Sequence, residues 1–245
     1  KVKETNADLG IGYDGDADRI GVIDNTGQII WGDRLLLLFA RQMLKEHPGC
    51  TFISEVKASQ VLYDDIRRRG GRGIMWKTGH SVIKAKMKQE NALLAGEMSG
   101  HIFFADRYFG YDDAVYASCR LVEILVKEQA SLSKLLADVP QTFVTPEIRV
   151  NCSDDQKFQL VDAIIRRLTD LYHAQSSKEA SLPIRELITI DGIRACFEGG
   201  WGLIRASNTQ PALVLRFEAS TAAQLEDIRN FLEGHLKAVQ KELFS

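Results

Sequence analysis

No apolar run in this chain of 245 residues approaches the roughly 20 that a membrane-spanning helix needs. The run Leu35-Leu36-Leu37-Leu38-Phe39-Ala40 is too short for that and predicts a buried helix instead. Excess charge of one sign is also missing. The formal net charge is −2, which gives no general drive toward nucleic acid or an anionic membrane. The four cysteines, at 50, 119, 152 and 196, form no CxxC pair, so reduced thiols in a cytoplasmic protein are expected. There is no internal repeat, no low-complexity tract, no signal-peptide pattern and no initiator Met. What is present, 45% hydrophobic and 26% charged residues, fits a globular protein of one large or two medium domains.

Strand and helix signals alternate through the first half. Residues 20–24 and 28–31 flank Asn25-Thr26-Gly27, a hairpin signal. Asp33 is placed to cap a helix running to about residue 46, ended by Pro48-Gly49. Strands are expected at 51–56, 73–77, 92–95 and 102–104, and helices at 60–69 and 82–89. Asp112 is expected to open a long amphipathic helix to about residue 128. Together these predict an α/β layered domain. The pattern breaks between Pro140 and Pro146, a candidate boundary. Beyond it the pattern predicts a strand at 147–151, a helix at 154–171 and a polar loop at 175–181. Strands at 187–190, 193–198, 202–206 and 212–219 follow, then a closing helix from 221 to about 243. That is an α+β domain with an antiparallel sheet.

Four loops carry candidate chemistry. In Asp14-Gly15-Asp16-Ala17-Asp18-Arg19, three carboxylates at alternate positions follow an apolar stretch. Such a run is costly without a cation, and oxygen-only ligands suit a hard ion such as Mg²⁺. Arg19 is well placed for a phosphate. An EF-hand is excluded, because its Gly and Glu positions hold Arg19 and Asn25. Lys77-Thr78-Gly79-His80-Ser81 lies at a strand end before a helix, where anions are attracted. There His80 is an acid/base candidate. Gly96-Glu97-Met98-Ser99-Gly100-His101 sets a carboxylate, a hydroxyl and an imidazole between glycines, and Glu97 and Ser99 suit sugar hydroxyls. Arg205-Ala206-Ser207-Asn208-Thr209-Gln210-Pro211 has the make-up of a phosphate cradle. Each of the last three also reads as an ordinary turn when taken alone. Gly199-Gly200 and Trp201 read as structural.

Taken together, these loops make the chain resemble the α-D-phosphohexomutases, closest to the bacterial phosphomannomutase/phosphoglucomutase branch. DGDADR matches the family's metal loop, GEMSGH its sugar loop and RASNTQP its phosphate loop, in family order over the whole chain. Phosphoglucosamine mutases typically read more like RPSGTEP in the phosphate loop and carry Gln where Met98 stands, so Asn208 and Met98 favour mannose and glucose phosphates. The resemblance implies a phosphohexomutase-type mixed-sheet α/β domain followed by an α+β domain with an antiparallel sheet. Residues 1–30 would be the tail of domain 2 with the metal loop, 31–142 domain 3 and 143–245 domain 4. The family's phosphorylated serine lies in a TASHNP-like segment that this sequence does not contain, and an acidic site so near residue 1 suggests a piece of a longer protein.

The implied reaction interconverts hexose 1-phosphate and hexose 6-phosphate through a 1,6-bisphosphosugar, with the phosphoserine as donor. Asp14, Asp16 and Asp18 would hold Mg²⁺ and Arg19 would contact the transferring group. Glu97 and Ser99 would hold the sugar, and Arg205, Ser207, Asn208 and Thr209 the other phosphate. His80 ranks first as general acid/base, with Lys57 lending positive charge and His101 a third candidate; Thr78 and Gly79 complete the binding set. The expected partners are the hexose phosphate, the bisphosphate and the N-terminal domains of the same protein, with no nucleic acid and no membrane. Two alternatives stay open. One is a haloacid-dehalogenase-type phosphatase with Asp14 as nucleophile, which Asp18 argues against. The other is a phosphosugar-binding fragment without turnover.

Overall fold

The computed structural model describes residues 1–174 and 182–244; the polar loop expected at 175–181 lies outside the described residues. The chain divides into two compact units, 1–140 and 141–245, which are taken separately.

The first unit opens with α1 (Val2–Thr5), β1 (Leu9–Tyr13), β2 (Ile20–Asp24) and β3 (Ile29–Ile30), a small antiparallel sheet in the order β1-β2-β3. The Asn25-Thr26-Gly27 turn is closed by Asp24, whose carboxylate accepts from the Thr26 and Gln28 N–H groups, each at 2.9 Å. There follow α2 (Gly32–Glu46), β4 (Thr51–Glu55), α3 (Gln60–Arg68), β5 (Arg72–Trp76), α4 (His80–Glu90), β6 (Leu94–Gly96), β7 (Ile102–Phe104), α5 (Ala114–Glu128) and α6 (Leu132–Leu135). Leu35 to Ala40 are all buried in α2, as the apolar run predicts.

The second sheet is mixed, in the order β5-β4-β6-β7. Here β4 pairs β5 and β6 in parallel, and β7 closes antiparallel on β6. Central β4 is buried on both faces, as its run Phe52-Ile53-Ser54 requires. Because β4, β5 and β6 run in parallel, their carboxyl ends share one edge of the sheet. That edge is where open α/β sheets place ligands.

Three boundaries differ from expectation for physical reasons. Trp31, not Asp33, is the N-cap of α2; the Asp33 carboxylate is buried and accepts from the Ser59 N–H at 3.0 Å, tying down the loop after β4. Asp113, not Asp112, caps α5 by accepting from the Tyr116 N–H at 2.8 Å, which leaves Asp112 for other partners. Helix α4 begins at His80, because Gly79 supplies a left-handed N-cap.

The second unit contains β8 (Phe143–Val144), β9 (Ile148–Asn151), α7 (Asp154–Ala174), β10 (Glu186–Ile188), β11 (Ile193–Phe197), β12 (Gly200–Ala206), β13 (Ala212–Ala219) and α8 (Ala222–Phe244). Its sheet is antiparallel throughout, in the order β10-β11-β12-β13-β8, with β9 also on β13. Leu160, Ile164, Ile228 and Leu232 of the two long helices pack with one face of the sheet into a core. The strand expected at 187–190 ends at Ile188, before a turn in which Gly192 has φ +76°. A Cβ on Gly192 would stand 2.3 Å from the Ile204 carbonyl oxygen. Trp201 is buried and donates to Glu218 at 2.8 Å, the structural part expected of it.

Among the described residues, no helix is long and apolar enough to cross a membrane.

Candidate active site

The acidic loop connects β1 to β2 and is wound by Ala17, whose φ of +58° is unusual for a residue with a Cβ. The Ala17 N–H donates to the Asp14 carbonyl at 3.2 Å, and its own carbonyl accepts from the Ala114 N–H at 3.0 Å. The winding brings carboxylate oxygens of Asp14, Asp16 and Asp18 within 4.8 Å of one another. Arg19 holds Asp14 through its backbone N–H at 3.1 Å and its Nε at 2.5 Å. Burial pushes the Asp14 carboxyl up, but these bonds win and hold it below the usual range.

Asp18 behaves oppositely. Burial, then the charges of Asp16, Asp14 and Asp112, raise it against a lowering pull from His101. Its Oδ1 is buried without a hydrogen-bond partner among the described residues. A cluster of oxygen donors with one buried and unsatisfied fits a hard divalent cation.

The acidic loop is joined to the loop at 96–101. The Ile20 N–H donates to the Gly100 carbonyl at 3.1 Å, and Arg19 and His101 form an antiparallel bridge. Gly100 has φ +100°, and a Cβ there would meet the Ile20 oxygen at 2.4 Å. The loop at 96–101 is also anchored where the buried Glu55 carboxylate at the end of β4 accepts from the Met98 N–H at 3.0 Å.

The shared carboxyl edge of β4, β5 and β6 gathers the remaining candidates of this unit. Lys57 follows β4 and is buried, its Nζ 3.4 Å from Glu55 Oε2. Thr78, Gly79 and His80 follow β5, and the Gly79 N–H donates to Glu97 Oε1 at 2.8 Å. Glu97 follows β6 and is only 3% exposed. Burial, then the neighbouring Glu55 charge, push its carboxyl up to about 7. Such a group is poised between donor and acceptor at neutral pH, which suits a sugar hydroxyl that does both. Ser99 is exposed at the tip of the same loop.

Asp112 is the residue that sequence reasoning missed here. Its Oδ2 lies 2.9 Å from His101 Nδ1 and 3.4 Å from His80 Nδ1, and its Oδ1 accepts from Lys84 Nζ at 3.2 Å. The two imidazoles stack with centroids 5.7 Å apart. His101 also comes within 3.7 Å of Asp18 Oδ2. Its imidazole is 14% exposed, against 54% for His80. Asp112 was hidden because an acidic residue before a helix reads as a cap.

The phosphate-type loop belongs to the second unit, between β12 and β13. Ser207 closes it, its N–H donating to the Ala212 carbonyl at 2.9 Å and its Oγ accepting from the Gln210 N–H at 3.2 Å. Asn208 and Thr209 are exposed at the tip. Arg205 is 4% exposed and donates through Nε to Asp191 at 3.0 Å. Its Nη2 is buried without a hydrogen-bond partner among the described residues. Lys157 also anchors the loop, through the Gln210 carbonyl at 3.0 Å. The Asp191-Gly192 turn that steers Arg205 was the available signal.

An α/β unit with a carboxylate cluster, followed by an antiparallel α+β unit with a basic loop, defines a narrow class of protein. Residues 31–143 match the family model for phosphoglucomutase/phosphomannomutase, alpha/beta/alpha domain III, and residues 147–235 match its C-terminal domain. The chain belongs to the phosphoglucomutase/phosphomannomutase family. It is 48% identical over 243 residues to the phosphomannomutase/phosphoglucomutase of Pseudomonas putida, covering 99% of this chain and 50% of that protein. It is 46% identical over 230 residues to a Neisseria meningitidis phosphoglucomutase, covering 94% of this chain and 47% of that one. A family protein from Burkholderia thailandensis superposes with a TM-score of 0.85 at 42% identity, over 98% of this chain and 48% of that one. The fold extends to an Aspergillus fumigatus N-acetylphosphoglucosamine mutase, solved with GlcNAc-6P and magnesium, at TM-score 0.65 and 14% identity over 94% of this chain and 48% of that one. The chain therefore spans about half the length of the curated relatives it matches.

Proposed function

We propose that this chain is the C-terminal part of a phosphohexomutase that interconverts the 1- and 6-phosphates of mannose and glucose. One observation carries the reading: the acidic loop is tied to the loop that carries Glu97 and His101 by the Ile20–Gly100 hydrogen bond and the Arg19–His101 bridge. Residues 1–30 would complete a preceding domain, with 31–142 and 143–245 as the two that follow. The phosphoserine that donates and reclaims the phosphoryl group would stand in the N-terminal domains, which are the chain's first partners. The compartment fitting such metabolites is the cytoplasm.

Asp14, Asp16 and Asp18 would hold Mg²⁺, whose chemistry is to offset negative charge on the transferring phosphoryl group. Arg19 lies beside them and contacts that same group. Glu97 and Ser99 take the sugar hydroxyls, with Thr78 and Gly79 lining the same edge. Lys57 supplies positive charge from the end of β4. Arg205, Ser207, Asn208 and Thr209 hold the phosphate that is not transferring.

His101 takes the proton of the attacking hydroxyl, its Nδ1 lying 2.9 Å from the Asp112 carboxylate that would balance the charge so formed. His80, ranked first on sequence, shares Asp112 and stacks on His101; its greater exposure makes it the supporting member of the pair. The phosphatase alternative is not favoured by the relatives. Nor is Asp14 poised as a nucleophile, with both of its oxygens bonded to Arg19.

The test uses this chain joined to the N-terminal half of the Pseudomonas putida relative. Asp16→Asn should abolish Mg²⁺-dependent turnover in that protein. Wild-type rates in the variant would remove the acidic loop from the reaction.

A further inference from the structure

Three stretches of chain that are far apart in sequence each bring one metal-type ligand to the same corner of the first unit. An oxygen of Asp18, a ring nitrogen of His101 and an oxygen of Asp112 lie within 4.8 Å of one another. His101 Nδ1 is 2.9 Å from Asp112 Oδ2 and 3.7 Å from Asp18 Oδ2. Zinc bonds to nitrogen and oxygen, at tetrahedral angles, set neighbouring ligand atoms about 3.3–3.6 Å apart. The two observed separations bracket that spacing, so small side-chain shifts would admit an ion.

The Asp112 side chain is 7% exposed, and its Oδ2 is buried without a hydrogen-bond partner among the described residues. His101 Nδ1 is buried and without one in the same way. Leaving two such atoms unsatisfied is costly. Atoms this close that do not bond each other are arranged as ligands around a common third atom are. The other Asp112 oxygen accepts from Lys84 Nζ at 3.2 Å, which fixes the carboxylate as outer-shell partners fix metal ligands. His80 Nδ1 lies 3.4 Å from the same Asp112 Oδ2, so a fourth ligand is at hand.

An all-oxygen set suits Mg²⁺, whereas an imidazole in the set favours a borderline ion such as Zn²⁺. Two carboxylates and a neutral imidazole also balance the double charge of that ion. We propose that Asp18, His101 and Asp112 form a Zn²⁺ site, different in its ligands from the cluster of Asp14, Asp16 and Asp18 and sharing only Asp18 with it. The zinc site goes beyond the proposed reaction and does not depend on it.

The test is calorimetric titration of Zn²⁺, and separately of Mg²⁺, into the 245-residue chain and its variants, each first melted without metal to show that it folds. His101→Gln and Asp112→Asn should each weaken Zn²⁺ binding more than about a hundredfold, beyond the loss of an outer-shell partner, with Mg²⁺ binding little changed. Asp16→Asn should do the reverse, and Asp18→Asn should weaken both. Unchanged Zn²⁺ affinity in His101→Gln, or no Zn²⁺ binding by the unaltered chain, would overturn the site. Equal loss of both metals in every variant would overturn it too, by showing a single site. Zinc loss confined to the Asp18, His101 and Asp112 variants supports it even if Asp16→Asn leaves Mg²⁺ binding intact, a result that would count against the acidic loop alone. Should the variants fail to fold, X-ray absorption at the zinc edge of the unaltered chain decides. Imidazole scattering beside oxygen neighbours supports the site, and a shell of oxygen alone contradicts it.

Discussion

The Nδ1 of His101 stands 2.9 Å from the Oδ2 of Asp112, a carboxylate that also faces His80 at 3.4 Å and Lys84 at 3.2 Å. Burial pushes the Asp112 carboxyl up, but hydrogen bonds from its own backbone N–H and from Lys84, with the charges of Lys84 and His101, hold it below the usual range. It is therefore an anion at neutral pH, close beside the half-buried His101 imidazole. In the joined protein, Asp112→Asn should lower kcat by about a hundredfold or more with KM little changed, the size of a lost general base. Unchanged kcat in steady-state assays would remove Asp112 from the mechanism.

Glu97 should trade stability for function. Its pKa, raised from 4.5 to about 7 by burial and by Glu55, means that the fold binds this proton more tightly than the unfolded chain does. Stability is then greatest below pH 4.5 and falls as pH rises through about 7. Glu97→Gln removes the charge and should melt higher than wild type above pH 7, by at most about 3 kcal/mol, with no gain below pH 4.5. In the joined protein the same variant should lose turnover. Equal melting at both pH values would refute the buried charge.

Asp65 has the opposite sign. Despite burial, hydrogen bonds from Arg41 and Arg68 and the nearby cations depress its pKa from 3.8 to about 2. Its contribution is complete above pH 3.8 and is lost as pH falls toward 2. Asp65→Ala should cost about 3 kcal/mol at neutral pH, the low end for a broken buried pair, because Arg41 keeps Asp138 at 2.7 Å. Denaturant titrations of the two proteins should converge in acid; a constant difference down to pH 2 would contradict this.

Gly100 tests the join between the two loops. Ala at φ +100° would be strained, and its Cβ would press on the Ile20 carbonyl at 2.4 Å. Gly100→Ala should destabilise by about 1–3 kcal/mol and weaken Mg²⁺ binding in the same variant. Wild-type melting and wild-type Mg²⁺ affinity would show that the loops are independent.

Much of the candidate site is legible in the sequence because its polar groups are packed into short runs. Asp14 to Arg19, Glu97 to His101 and Arg205 to Thr209 each carry their donors within a few residues. What stayed hidden depends on pairing across the sheets. Asp112 meets His101 only because it bridges to Phe103 on the edge strand β7. The fold followed the same rule. The buried Leu35 to Ala40 run of α2 and the strand around Phe52-Ile53 were legible, whereas the two-residue β8 and four-residue α6 carry too little pattern to announce themselves. Asp33 misled because a carboxylate at a helix start looks the same in sequence whether it caps its own helix or a distant loop.

The most direct measurement gives the joined protein glucose 1-phosphate, Mg²⁺ and a trace of glucose 1,6-bisphosphate, and follows glucose 6-phosphate and free phosphate together. The account predicts accumulation of glucose 6-phosphate with almost no free phosphate, and no turnover by the 245-residue chain alone. Release of free phosphate by the chain alone, without glucose 6-phosphate, would contradict it.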